Sequence, residues 1–315
     1  MTHGGSWLKV TGVSVFQANQ LLGASYQHYR HSETNDTILR TMSYSLPAAL
    51  QDHVRTVVPT TFFGFPRKLQ KALGMLGGAA AVPPRGVTSR DYGGNDFITP
   101  SYISTLYNSV GYVPNATSLN SFGISSFNGY SPSLTDLSLF MEQYLPTATI
   151  GIYSVVQING GEYNPSQPND QEDFNIQYAE TLTYPTPVIF YSTGGQPPYK
   201  SDDSTPTDTN EPYLDWLEYM LDQQDIPQTV TVGYGDNEQT VPFDYATSVC
   251  DLFAQFGARG VSVLMSSGDA GVGMGDCVVN NGSGDVQFLP TFPASCKFLY
   301  NKIGTGRSSS LDILS

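Results

Sequence analysis

Asp269 is the residue whose surroundings first suggest chemistry. It lies in S-S-G-D-A-G-V-G (266–273), directly after an apolar, β-branched run that contains Val261, Val263, Leu264 and Met265. That run has the pattern of a buried central strand. Gly268, Gly271 and Gly273 give the turn behind it backbone freedom. A carboxylate just past the carboxyl end of a parallel strand stands where open α/β sheets gather ligands and catalytic groups. The same side chain can instead close an Asx turn on nearby backbone N–H groups.

The distribution of histidine narrows the chemistry. His3, His28, His31 and His53 are the only four, so the chain after residue 53 cannot build a Ser-His-Asp, Cys-His or histidine-metal site from its own residues. Any hydrolytic base there must be a carboxylate. His28 and His31 have the spacing of one helix face, but without a third ligand nearby they read as a solvated pair.

Charge points the same way. The 315 residues carry a formal charge of −14. From Asp91 to Cys296 there are 24 Asp and Glu against only Lys200 and Arg259, about 22 net negative charges in that segment. Such a surface argues against nucleic acid and against anionic membranes as partners. It suits work in acid, where protonation relieves self-repulsion, and equally a merely soluble acidic protein. No run approaches transmembrane length, and Met1-Thr-His-Gly-Gly is not a signal peptide. Asn35-Asp-Thr37, Asn115-Ala-Thr117 and Asn281-Gly-Ser283 are N-glycosylation sequons in loop-like sequence and lean towards secretion. Either the N-terminus is incomplete or the chain is not exported. The three cysteines lack zinc spacing. Cys277 and Cys296 flank a Gly/Asn-rich loop and could pair, while Cys250, in an apolar helical stretch, reads as buried and free.

The elements that must position these groups fall into units. Residues 1–66 form a small α+β piece, with a helix over 14–29, a strand over 41–46 and a helix over 47–57, too short for much core of its own. Residues 67–92, rich in Gly, Ala and Pro with basic residues at both ends, read as a linker and a cleavage region. From residue 93 the pattern predicts helices over 101–110, 134–144, 176–182, 211–221 and 244–256. Strands are expected over 150–158, 188–192, 230–234 and 261–265. Repeated β-α-β with buried apolar strands implies an α/β fold with a parallel, doubly wound sheet.

Several motifs in order carry a resemblance to a known family. S-S-G-D-A-G-V-G (266–273) and F-L-P-T-F-P-A-S-C (288–296) resemble the sedolisin family of serine-carboxyl peptidases, its fungal tripeptidyl-peptidase branch above all. E-P-Y-L-D-W-L (211–217), V-G-Y-G-D-N-E-Q-T-V-P (232–242) and F-G-A-R-G-V-S-V-L (256–264) agree in order and spacing. W-L-K-V, Q-A-N-Q-L-L-G-A-S-Y and Y-S-L-P-A-A-L in the first unit resemble the C-terminal part of the family's pro-domain. The resemblance implies a subtilisin-like parallel sheet flanked by helices and C-terminally incomplete, with a partial pro-domain before it. The implied division is 1–66 pro-domain, 67–92 activation-cleavage linker, 93–296 incomplete peptidase domain and 297–315 divergent tail.

The family's implied mechanism uses a Ser nucleophile, a Glu base with a linked Asp, and a protonated oxyanion-hole Asp. It needs no histidine, and a carboxylate can act as base in acid, where imidazole is protonated. Asp269 matches the oxyanion-hole position. The Glu and Asp belong four residues apart on one helix, E-x-x-L-D-[IV]-Q-Y, where this chain reads Q-E-D-F-N-I-Q-Y (171–178). Gln171 therefore stands in place of the Glu base and Asn175 in place of its Asp. Neither amide can take up a proton. Glu172 and Asp173 could serve only if the helix rotated. Glu211 and Asp215, also four apart, read as a solvated helix face.

The family's G-T-S-x-S serine lies beyond the matching segment. Ser308, Ser309 and Ser310 have no supporting context, so the nucleophile is expected to be absent. No cofactor is expected in this chain, since the family's calcium site would lie in the missing C-terminal part. Implied partners are peptide or protein substrates and the chain's own pro-segment, in an acidic extracellular setting. The expectation is a peptidase homologue inactive on its own. A non-catalytic peptide- or peptidase-binding pseudopeptidase, and a gene-model fragment without function, are the alternatives.

Overall fold

The computed structural model describes residues 8, 10–30, 37–51, 53–54, 56–57, 60–61, 98–115, 119–148, 153–202, 205–268, 277–297 and 299. The expected linker at 67–92, Asp269, and Ser308, Ser309 and Ser310 lie outside them, as does the tail except Lys297 and Leu299.

The first unit begins with α1 (Val15–Leu22). Ser14 Oγ accepts the Gln17 N–H at 3.3 Å and Gln17 Oε1 accepts the Ser14 N–H at 2.9 Å. This reciprocal capping box fixes the start of the helix. Gly23, at φ +52°, ends it in the left-handed conformation that glycine adopts at little cost. The helix is thus shorter than the apolar spacing suggested. The chain turns into β1 (Gln27–Arg30), which pairs antiparallel with β2 (Thr37–Arg40), upstream of the strand expected over 41–46. His28 sits on a strand, β1, and not on a helix, while His31 lies outside the described residues. α1 and the short α2 (Ala48–Gln51) bury no residue, in keeping with a unit that has little core.

The second unit is built on five parallel strands. Along the chain come α3 (Pro100–Leu106), β3 (Phe122–Phe127), α4 (Leu134–Tyr144), β4 (Ser154–Ile158), α5 (Asp170–Thr183), β5 (Val188–Thr193), α6 (Tyr213–Asp222), β6 (Thr229–Val232), β7 (Asp236–Asn237), α7 (Phe243–Ala258), β8 (Ser262–Met265) and β9 (Thr291–Phe292). The sheet order is β4-β5-β3-β6-β8, all parallel. After β3 the chain builds to one side of it, and after β5 it crosses to the other. That reversal creates a switch point, and the crevice at the carboxyl ends of the strands is where such sheets place their sites.

Both faces are covered, as a parallel sheet requires. Ile124, Val188 and Phe190 pack with Leu137 and Met141 of α4 and with Ile176 and Ala179 of α5. Phe127, Tyr191, Val230 and Val232 pack with α6 and α7. Trp216 is fully buried there, its ring 5.9 Å from Phe256, 6.1 Å from Phe253 and 6.3 Å from Phe127. Truncating such an anchor to alanine costs about 3–5 kcal/mol.

Three further features depart from the sequence reading. The central strand β3, F-G-I-S-S-F, carries Gly and two fully buried serines instead of a β-branched run, and its periodicity was silent. A Cβ on Gly123 would lie 3.1 Å from Val230 Cγ2 and 3.3 Å from Tyr191 Cε2, so neighbouring strands fill the space its side chain would need. The disulfide joins Cys250 to Cys296, with Cα atoms 5.3 Å apart, and leaves Cys277 outside it. It fastens the segment after β9 onto α7, a tertiary proximity that loop spacing could not reveal. α5 starts at Asp170 instead of 176, because Asn169 Oδ1 caps it by accepting the Gln171 N–H at 2.9 Å.

Candidate active site

The extended N-terminal turns of α5 place Gln171 and Asn175 on one helix face. Gln171 Nε2 donates to Asn175 Oδ1 at 3.3 Å, and Asn175 Nδ2 donates to Glu172 Oε2 at 3.3 Å. The Tyr234 hydroxyl donates to Glu172 Oε1. That hydroxyl also lies 3.4 Å from Ser126 Oγ, which donates to the Tyr130 carbonyl at 3.3 Å. A continuous polar chain thus runs from α5 to the carboxyl ends of β6 and β3. Gly233 lies against it. A Cβ there would stand 3.2 Å from both terminal atoms of Asn175 and 3.3 Å from Gln171 Nε2.

Glu172 sets the direction of this chain. An ionised carboxylate only accepts, so Asn175 must turn its Nδ2 to Glu172 and its Oδ1 to Gln171. The Glu172 side chain is fully buried. Burial pushes its carboxyl up to about 7, against the pull of the hydrogen bonds that Tyr234 and Asn175 donate to it. Asp173 turns elsewhere and accepts the N–H of Ser133, the residue that caps α4. Burial raises it to about 6, with Asp136 and Asp170 adding to the shift. Neither carboxylate stands in for Gln171: Glu172 is sealed beneath it and Asp173 is committed to α4.

The site residues expected at 171 and 175 are therefore brought together. Asp269 falls outside the described residues, but the segment leading to it does not. The Ser266 N–H donates to the Val232 carbonyl at 3.0 Å, and Gly268 N–H to Ser266 Oγ at 3.2 Å. The carboxyl end of β8 thus lies beside β6, whose continuation carries Gly233 and Tyr234.

A second cluster was missed. Glu211, expected on a solvated helix face, is only 5% exposed and shares a hydrogen bond with the 7%-exposed Asp236. Glu211 precedes α6, and the strand pair β7–β9 brings Asp236 over it; the i, i+4 relation to half-buried Asp215 said nothing of this. The Tyr213 hydroxyl donates to Glu211 Oε2 at 3.1 Å and Thr209 Oγ1 to Asp236 Oδ1 at 3.4 Å. Two carboxyls can hydrogen-bond to each other only if one keeps a proton. Burial and then the charge of Glu211 hold Asp236 well above the carboxylate range, and burial raises Glu211. Nearby Asp208 is pushed up to about 7, chiefly by burial. Among the described residues no group of three or more His, Cys, Asp or Glu could hold a metal ion, and no helix is long and apolar enough to cross a membrane.

Comparison with known proteins places this arrangement. Residues 1–63 match the family model "Pro-kumamolisin, activation domain". The chain belongs to the sedolisin family of serine-carboxyl peptidases, on the branch of the fungal tripeptidyl-peptidases. It is 35% identical over 303 residues to the probable tripeptidyl-peptidase SED3 of Arthroderma benhamiae, covering 94% of this chain and 50% of that protein. With the tripeptidyl-peptidase sed4 of Aspergillus fumigatus it shares 33% identity over 322 residues, covering 95% and 53%. The chain thus spans about half the length of the curated relatives it matches. Among solved structures, Pseudomonas sedolisin, a serine-carboxyl proteinase complexed with two molecules of pseudo-iodotyrostatin, aligns at 17% identity and a TM-score of 0.42. That alignment covers 64% of this chain and 52% of that one.

Proposed function

We propose that the chain is a sedolisin-type peptidase homologue in which the general-base position has lost its proton chemistry. The family activity, proteolysis in acid with release of tripeptides, is what its relatives suggest. The observation against that activity here is the bond from Gln171 to Asn175 and onward to Glu172. An amide in the base position cannot accept a proton from a nucleophile, and general-base catalysis contributes about 10²–10⁴-fold. This reading rests on residues 171 and 175 and not on where the chain stops.

The purified chain is assayed on a tripeptidyl amide reporter in acid. The expected result is no turnover above the Asp269→Ala control. Turnover that Asp269→Ala abolishes overturns the reading.

A second reading is peptide binding without cleavage, by the domain itself or with its pro-segment. It is favoured by the intact packing of Gly233, Tyr234 and Ser126 around the substituted pair. Saturable binding of a labelled unstructured peptide supports it, and no binding at any pH from acid to neutral sinks it. The Cys250–Cys296 disulfide supports an oxidising, extracellular setting.

A further inference from the structure

Residues 277–288 make a small excursion whose base is fastened and whose tip is open. Val278 and Val286 form an antiparallel bridge, the Val279 N–H donates to the Asp285 carbonyl at 2.9 Å, and the Gln287 N–H to the Cys277 carbonyl at 2.9 Å. The Asn280 N–H donates to Gln239 Oε1 at 2.8 Å, and Gln239 Nε2 to the Val278 carbonyl at 3.1 Å. At the tip lies Asn281-Gly-Ser283, in a stretch, 280–288, that is exposed at every residue. Asn281 Oδ1 accepts the Ser283 N–H at 2.8 Å. Gly282 and Gly284 have φ of +76° and +73°, and a Cβ on either would meet nothing within 4 Å. At the base of the same excursion two large apolar side chains are exposed, Val286 at 75% and Phe288 at 85%.

We infer that Asn281 is an N-glycosylation site and that its glycan shields Val286 and Phe288. The inference rests on the reading that the chain enters an oxidising, extracellular route. The Asn281 amide nitrogen forms a bond to C1 of an oligosaccharide carried on a lipid pyrophosphate. The lipid pyrophosphate leaves as the anomeric C–O bond breaks, and the amide proton passes to a base of the membrane-bound transferase. The sequon supplies the acceptor amide and the hydroxyl at the second following position that this chemistry requires. The open tip supplies room for a bulky group, and the apolar pair supplies surface for it to cover. Of the three sequons this is the one lying wholly within the described residues.

The test expresses the full chain behind a cleavable secretion leader in a yeast host and maps glycopeptides of the secreted protein. The leader forces entry, so failure of native export and failure of this inference are read separately. The expected result is a peptide in which enzymatic glycan release converts Asn281 to Asp. Asn281→Gln and Ser283→Ala should each lose one glycan step, and Ser283→Thr should raise occupancy. Deglycosylation should increase the binding of a hydrophobic dye, an increase that Phe288→Ser removes. A secreted chain whose Asn281 peptide is unmodified overturns the site. An occupied site whose removal leaves dye binding unchanged overturns the shielding.

Discussion

Two buried polar clusters flank the ring of Phe127 at the carboxyl end of the sheet, 5.3 Å from the Tyr234 ring on one side and 5.2 Å from Tyr213 on the other. On the α5 side, Gln171 and Asn175 link two amides to the buried carboxyl of Glu172. On the α6 side, Glu211 and Asp236 keep a carboxyl pair that closes only with a proton between them. The first pair bonds to itself at any pH. The second holds only while that proton stays between its carboxyls. The two clusters therefore differ in what closes them: hydrogen bonds between amides need no added proton, whereas two carboxyls need one.

The largest expected effect comes from removing the proton holder. Asp236→Ala leaves the Glu211 carboxyl buried with Tyr213 as its remaining side-chain donor, which should cost about 3–5 kcal/mol near neutrality. In acid, where Glu211 takes up a proton, the loss should be smaller. Asp236→Asn keeps a donor and should cost little at either pH. Urea unfolding midpoints at both pH values decide this. Equal losses for Asp236→Ala in acid and at neutrality would show that no shared proton holds the pair.

Next is the carboxyl beneath the amides. Glu172, Glu180 and Asp208 are raised to about 7 and Asp173 to about 6, all chiefly by burial. A raised folded-state pKa means that the native chain holds more protons than the unfolded one between about 4 and 7. The stability these groups contribute is complete below about 4 and lost as pH rises through their folded values. For Glu172, a rise from 4.5 to about 7 corresponds to about 3 kcal/mol of that loss. Glu172→Gln should remove its share of the slope, since Gln still accepts from Tyr234 while the Asn175 and Gln171 amides flip to match. An unchanged slope would remove Glu172 from the titrating set.

Placing carboxyls at the amide positions is a smaller perturbation. Gln171→Glu with Asn175→Asp should leave stability in acid unchanged and cost about 1–2 kcal/mol near neutrality, where three adjacent carboxylates cannot all ionise cheaply. A curve that overlays the unmodified chain at both pH values would mean that residues 171 and 175 do not feel Glu172.

How much of this was legible in the sequence depended on which force set each element. α4 fell on the expected 134–144 because Ser133 caps it and Leu137 and Met141 mark its buried side. β3 was not legible, since its neighbours' side chains, and not its own, fill the space at Gly123. The first turn of α5 is almost wholly polar, so only the cap at Asn169 announced it. The pairing of 171 with 175 was readable from the family motif alone. Glu211 could not be read as buried, because Asp236, which covers it, arrives from the far side of β6.

The smallest effect tests whether the amide pair is packed or merely adjacent. Gly233 is not held in the left-handed region, so replacing it with alanine brings no backbone strain and acts only through its new Cβ. That Cβ would press on Asn175 at 3.2 Å and on Gln171 at 3.3 Å, nearer than a comfortable contact. Gly233→Ala should therefore cost about 1 kcal/mol, at the low end for overpacking, because the touched atoms end side chains that can shift. Asn175→Ala removes the atoms it touches. In the double variant the two costs should fall short of their sum by about 0.5 kcal/mol or more, the signature of direct contact. Strict additivity would place Gly233 away from the pair and leave Glu172 alone to fix the direction of the amides.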